Sequence, residues 1–192
     1  MRRSERLLPK LPLFAVIIVV AMLAGWWMAH QSNPKPTGVE SGESLPMPVA
    51  EERVVHLYFS DQRDEAYLVA EQRVMAPPVD DTVFGRWLVA QLVSGPQQGA
   101  GGRTLPKDAL LSAFFITDKG KAIVDFASES FAAHPGGIRA ELLSIYSVVN
   151  TLVMNVTSIR SVKFLIDGRE AETLAGHVDL QDPFEVDMMW VR

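Results

Sequence analysis

Residues 110–126 read LLSAFFITDKGKAIVDF, and the reading of this stretch decides the class of fold. Leu110 to Ile116 is an apolar, aromatic run of strand length. Asp118-Lys119-Gly120 is a hairpin turn, with a glycine available for positive φ. Lys121 to Ala127 then alternates. Ala122, Val124 and Phe126 fall on one face and Asp125 on the other. Beyond the hairpin, Pro135-Gly136-Gly137 opens a long helix. Its apolar stripe is Ile138, Leu142, Ile145, Tyr146, Val149, Leu152 and Val153, and Arg139, Glu141 and Asn150 are expected to point away from the core.

The same pairing of hairpin and helix precedes this unit. Val54 to Phe59 is a first strand, Asp61 to Glu65 a charged turn, and Ala66 to Met75 a second strand stopped by Pro77-Pro78. Asp80, Asp81 and Thr82 offer capping oxygens to a first helix carrying Val83, Phe84, Trp87, Leu88 and Leu92. Ser94-Gly95-Pro96 ends it, and the glycine-rich Gln97 to Pro106 reads as a mobile connection. Downstream, Val162 to Ile166 is a fifth strand ending at the Asp167-Gly168 turn, and Leu174 to Leu180 is expected as a short sixth. In the tail, Phe184, Val186, Met188 and Trp190 alternate with Glu185 and Asp187, as in an edge strand with one apolar face. The order is β-β-α-β-β-α-β-β. Hairpins separated by helices predict an α+β fold, with two helices on one face of a mostly antiparallel sheet.

The first part of the chain has a different character. Leu11 to Ala29 is an uncharged apolar run close to the length of about 20 residues that crosses a bilayer. Trp26 and Trp27 sit at its far end, where amphipathic rings settle among headgroups. Arg2, Arg3, Arg6 and Lys10 precede it and hold that side in the cytoplasm. Residues 30–51 are rich in Pro, Gly, Ser and Glu, as linkers are. The expected organisation is a basic cytoplasmic segment (1–10), a transmembrane anchor (11–29), a linker (30–51), a domain (52–182) and a tail or edge strand (183–192). The domain is expected outside the inner (cytoplasmic) membrane, in the periplasm.

Composition narrows the chemistry. The 192 residues contain no cysteine, which excludes disulfides, thiolate nucleophiles and a lipid-bearing cysteine within this sequence. The formal charge is −5; because the basic residues concentrate before the apolar run, the remainder is more acidic still. Such a surface does not suit nucleic acid. The histidines His30, His56, His134 and His177 form no metal-binding pair, and His177 with Asp179 is a weak cation motif. No serine stands in a nucleophile elbow. Asp125, with Ser128, Glu129 and Ser130 just beyond it, is the carboxylate of most interest. It reads first as a residue on the polar face of its strand, with the serines beyond it turning the chain, and second, with Glu129 and His177, as the site of a cell-wall or small-ligand hydrolase. No catalytic residue, cofactor or metal is assigned.

Several segments in order resemble the GerMN domain, first described in spore-germination proteins and found in other cell-envelope proteins. They are Leu57-Tyr58-Phe59, Leu92-Val93-Ser94-Gly95-Pro96, Thr104-Leu105-Pro106-Lys107, Val124 to Phe131, Thr151-Leu152 and Val162 to Gly168. The sequence departs from that pattern at Asn155 to Ile159, where a Phe-Pro-Gly-like turn is usual. The resemblance implies an interaction or sensing module without enzymatic activity. The expected partners are the lipid bilayer, through residues 11–29, and an envelope protein or cell-wall component. The tail residues Phe184, Val186, Met188 and Trp190 are the expected interaction surface, because an unpaired edge invites strand addition.

Overall fold

A computed structural model describes residues 51–99 and 101–192. The expected anchor at 11–29, the segment 1–10 and nearly all of the linker lie outside these residues. No helix among the described residues is long and apolar enough to cross a membrane.

The elements are β1 (Arg53–Asp61), β2 (Leu68–Met75), α1 (Asp81–Ser94), β3 (Gly101–Gly102), β4 (Leu111–Ile116), β5 (Lys121–Phe126), α2 (Ile138–Asn155), β6 (Ser161–Ile166) and β7 (Phe184–Glu185). They form α+β architecture, but two sheets take the place of the single sheet expected. One has the order β2-β1-β3, the other β4-β5-β6-β7. The β5–β6 pair is parallel, the others antiparallel. The reason is the long helix between β5 and β6. A crossover of that length returns the chain in the same direction, which no tight turn can do.

The polar side chains of α2 explain why only the two-residue β3 pairs with β1 on the side away from β2. His56, Tyr58 and Ser60 direct their main-chain groups away from β2. At Ser60 and Asp61 these groups meet β3. At Tyr58 the N–H donates to Thr151 Oγ1 at 3.1 Å, and the carbonyl accepts from Ser147 Oγ at 2.6 Å. At His56 the N–H donates to Asn155 Oδ1 at 2.9 Å, and the carbonyl accepts from Asn155 Nδ2 at 2.7 Å. Ser147, Thr151 and Asn155 recur every four residues and so share one stripe of the helix. That stripe takes the place of a strand, satisfying buried main-chain groups whose loss would cost about 1–3 kcal/mol each.

The main core lies between the sheets and the two helices. It holds Val55, Leu57 and Phe59 from β1, Phe84, Leu88 and Leu92 from α1, Val124 and Phe126 from β5, and Ile145, Val149 and Leu152 from α2. Asp80 caps α1, accepting from the Val83 N–H at 2.8 Å. Val83, expected inward, is exposed, and the buried position next to Phe84 is Gly85. A Cβ there would stand 2.3 Å from Phe114 Cζ. Gly85→Ala is therefore expected to destabilise the domain by about 1–3 kcal/mol through overpacking, although alanine favours a helix by about 1 kcal/mol. Urea unfolding would check this, and a more stable variant would refute the packing argument.

Three further expectations need correction. The glycine-rich connection is ordered where β3 pairs with β1, and a Cβ on Gly102 would meet Ser60 Oγ at 2.5 Å. Residues 174–180 form no strand. Their main chain instead turns toward α2, where Glu141 gathers it. Glu141 and Asn150, read as outward, are fully buried.

The tail forms a strap. Phe184 and Glu185 pair with Val162 and Ser161 at the edge of β6. Asp187 exchanges two hydrogen bonds with the Asn150 side chain, at 2.9 and 3.1 Å. A single turn of 3-10 helix follows at Met188–Trp190. Val191 then bridges to Leu68 of β2. The strap thus joins the edges of both sheets across α2.

Candidate functional site

An open groove of about 900 Å³ lies on the domain. Its walls are the β1–β2 turn from Ser60 to Ala66, the segment Gly102 to Pro106, and the approach to α2 from Ala133 to Ser144. Two of its polar lining residues, His134 and Ser144, bond to each other through Nε2 and Oγ, 2.9 Å apart. A serine beside a histidine invites the reading of an activated nucleophile. The hydrogen bonds oppose it. Gly136 N–H donates to His134 Nδ1 at 3.1 Å, so the neutral ring carries its proton on Nε2 and donates to Ser144. Ser144 Oγ in turn donates to the Thr104 carbonyl, 2.5 Å away. Burial pushes the His134 imidazole below its usual range, and the nearby Glu141 charge offsets this only in part. The pair therefore fastens the 104 segment to α2, with the histidine facing serine as a donor.

Glu141 binds the 170s loop. Its Oε2 accepts N–H bonds from Ala175, His177 and Val178 at 3.1, 3.2 and 3.0 Å. Its Oε1 lies 2.7 Å from His177 Nδ1. Burial alone would raise this carboxyl, but the bonds it accepts outweigh burial and hold it below the usual carboxylate value. The polar residues along β5 and its extension are engaged in the same way. Asp125 accepts from Gly168 N–H at 2.9 Å, Asp167 from Ser128 N–H at 3.0 Å, and Ser130 from Leu110 N–H at 2.8 Å. Asp125, Glu129 and His177, the carboxylate-based alternative, line neither this groove nor the smaller hollow at Phe115 and Lys163. Asp125, on β5, holds the Asp167-Gly168 turn, and His177 pairs with Glu141.

The tail residues expected to make contacts divide into two sets. Trp190 stacks on Tyr146 with ring centres 5.6 Å apart, and Phe184 packs edge-on to Tyr146 at 6.0 Å. With Tyr58, Leu68 and Leu143, the Trp190 and Val191 side chains close a second small core. Val186 and Met188 remain exposed, as does Met189 beside them. Sequence reading missed Glu141, Asn150 and Met189. The helix carries polar residues around most of its circumference, so spacing alone did not separate those that bond buried main chain from those that meet water.

The comparisons agree with this architecture. The model of the Germane family, described as sporulation and spore germination, matches residues 56–172. Among solved structures, a candidate lipoprotein from Clostridium perfringens is 29% identical over 70% of this chain and 87% of its own, with a TM-score of 0.51. The first GerMN domain of the sporulation protein GerM from Bacillus subtilis is 25% identical over 69% of this chain and 97% of its own, at a TM-score of 0.55. The tandem GerMN domains of that protein match at 24% identity and a TM-score of 0.57, over 70% of this chain. This chain spans 46% of that tandem structure. A search of curated proteins finds no match. With the family model covering more than half of its residues, the chain belongs to the Germane family and carries a GerMN-type domain.

Proposed function

We propose that this chain is a membrane-anchored module of the bacterial cell envelope whose domain binds another envelope protein, or a cell-wall component, outside the inner membrane. The observation that carries the reading is the use made of polar groups. His134, Ser144, Glu141, Asp125 and Ser130 each bond main chain or one another to fix loops, and Asp125, Glu129 and His177 share no cleft. Such a domain presents surfaces to partners and no assembled acid, base and nucleophile. Two sequence features support the placement: the uncharged run at 11–29 behind a basic N-terminus, and the polar linker after it. The relatives support the setting, since one is a sporulation protein and another a candidate lipoprotein. Within the domain, the tail is the proposed contact surface, through Val186 and Met188, with Phe184 and Trp190 packed inward behind them.

Site-specific photo-crosslinking in intact cells tests the proposal. A crosslinker at Met188 is expected to yield a discrete higher-mass species. Protease added to spheroplasts is expected to digest the domain. Recovery of an uncrosslinked monomer, together with full protection from protease, would refute the proposal.

A further inference from the structure

The strap crosses a face that carries several open apolar side chains. Val54, His56 and Tyr58 alternate onto one face of β1, and their cross-strand partners Val74, Gln72 and Ala70 share it. Tyr58 clusters there with Trp190 and Val191, so this is the face over which the strap passes. On α2, Tyr146, Asn150 and Met154 recur every four residues along one stripe. Tyr146 stacks on Trp190, Asn150 holds Asp187, and Met154 follows one turn later. The strap itself exposes Val186, Met188 and Met189, the last at 85%; Met154, at 50%, lies one helical turn from Asn150; and Val54 and Val74, at 68%, pair on the same outer face of β1 and β2. Exposed apolar residues are ordinary when scattered singly; gathered on one face they mark a contact surface. Half of these are methionines, whose unbranched, polarisable side chains adapt to varied partners.

Charge identifies the occupant. The strap also carries Asp182, Glu185 and Asp187. Its one cation, Arg192, is paired with Asp64. Arg160 precedes Ser161, the partner of Glu185, and Lys163, bonded to the Gln181 carbonyl beside Asp182, is paired with Glu170, so the carboxylates of the strap outnumber the cations left to them. A second copy docked about a two-fold axis would set these carboxylates against their own images. An anionic bilayer would be repelled for the same reason. We propose that this face binds a cationic amphipathic segment of another envelope protein. Its apolar side would rest on Met154, Met188 and Met189, and its Lys or Arg residues would face Asp182 and Glu185. The inference rests on the interaction-module reading and adds the chemistry of the partner.

The test uses the full-length chain in zwitterionic nanodiscs, with methionine methyl groups labelled for NMR. The probes are a short Leu/Lys amphipathic peptide, its Leu/Glu counterpart, and phosphatidylglycerol vesicles. The Leu/Lys peptide is expected to bind and shift the Met154, Met188 and Met189 signals. Binding should weaken with salt and fall by about tenfold or more in the Met188→Ser/Met189→Ser variant. Both side chains are exposed, so the unfolding midpoint of that variant should stay unchanged and show that the fold is intact. A Leu/Lys peptide that fails to bind, or that binds the serine variant equally well, overturns the assignment. So do Leu/Glu peptide or vesicles that shift the same methionines, and so does a concentration-dependent dimer that does so without peptide. A partner crosslinked in cells through another face, with no Leu/Lys binding here, would overturn this assignment and leave the interaction reading in place.

Discussion

Glu141→Ala is expected to destabilise the domain by about 3–5 kcal/mol, a large part of the roughly 5–15 kcal/mol of a whole domain. The carboxylate accepts from three main-chain N–H groups of the 170s loop and from His177. Its removal leaves buried donors without partners, at about 1–3 kcal/mol each where water cannot replace it. Leu174 and Leu180, which the loop delivers to the core, would lose their anchorage. Glu141→Gln keeps the shape and part of the bonding, so a smaller loss of about 2 kcal/mol is expected at neutral pH. The pH dependence gives a second signature. The folded carboxyl lies below its ordinary value of 4.5. Its stabilisation is therefore complete above that value and is lost as pH falls through the folded pKa. Chemical denaturation of the wild-type chain and Glu141→Gln should differ at pH 7 and converge in acid. An equal gap at all pH values would show that the charge does not matter.

Arg73→Ala should be of similar size, about 3–5 kcal/mol, because it leaves a buried carboxylate without its cation. Glu71 and Arg73 are nearly inaccessible and lie 2.5 Å apart. Arg73 also donates to Gln91 Oε1 at 2.6 Å and to the Gly95 carbonyl at 3.0 Å. Glu71 Oε2 accepts the N–H groups of Gln97 and Gln98, each at 2.9 Å. The pair therefore ties β2 to the Ser94-Gly95-Pro96 turn that ends α1. Burial would raise the Glu71 carboxyl, but the Gln98 N–H and Arg73 outweigh it and leave it lowered. Replacing both residues by methionine should cost much less than the two single losses combined, since no lone charge is then buried. A double-mutant cycle in guanidinium measures the coupling. An Arg73→Ala loss under about 1 kcal/mol would place the pair among ordinary surface contacts.

These two networks mark where sequence reading stopped. Strand and helix positions were legible because alternation and helical spacing follow from burial of one face. Asp80 as a cap and Ser94-Gly95-Pro96 as a stop are local chemistry, and the structure agrees with both. The α2 pattern misled because a helix surrounded on most sides carries a polar residue inward wherever main chain needs a partner. Glu141, Ser147, Asn150, Thr151 and Asn155 are all of this kind. The predicted strand at Leu174 to Leu180 failed for the same reason, since the N–H groups of Ala175, His177 and Val178 go to Glu141. In the tail, alternation located the apolar residues, but it did not tell Trp190, packed on Tyr146, from the exposed Met188.

The sequence by itself determined the two helices and the main strands around them, the α+β class, the acidic cysteine-free composition and the resemblance to the GerMN domain. All of these are written in local spacing and in the order of short motifs. Only the tertiary structure decided that there are two sheets, that a polar helix stripe closes the edge of β1, and that the tail straps the sheets together and leaves methionines exposed. The physical reason is distance along the chain. Hydrogen bonds such as those of Asn155 to His56 and Asn150 to Asp187 join residues with no local relation, and only the closed fold brings them within reach.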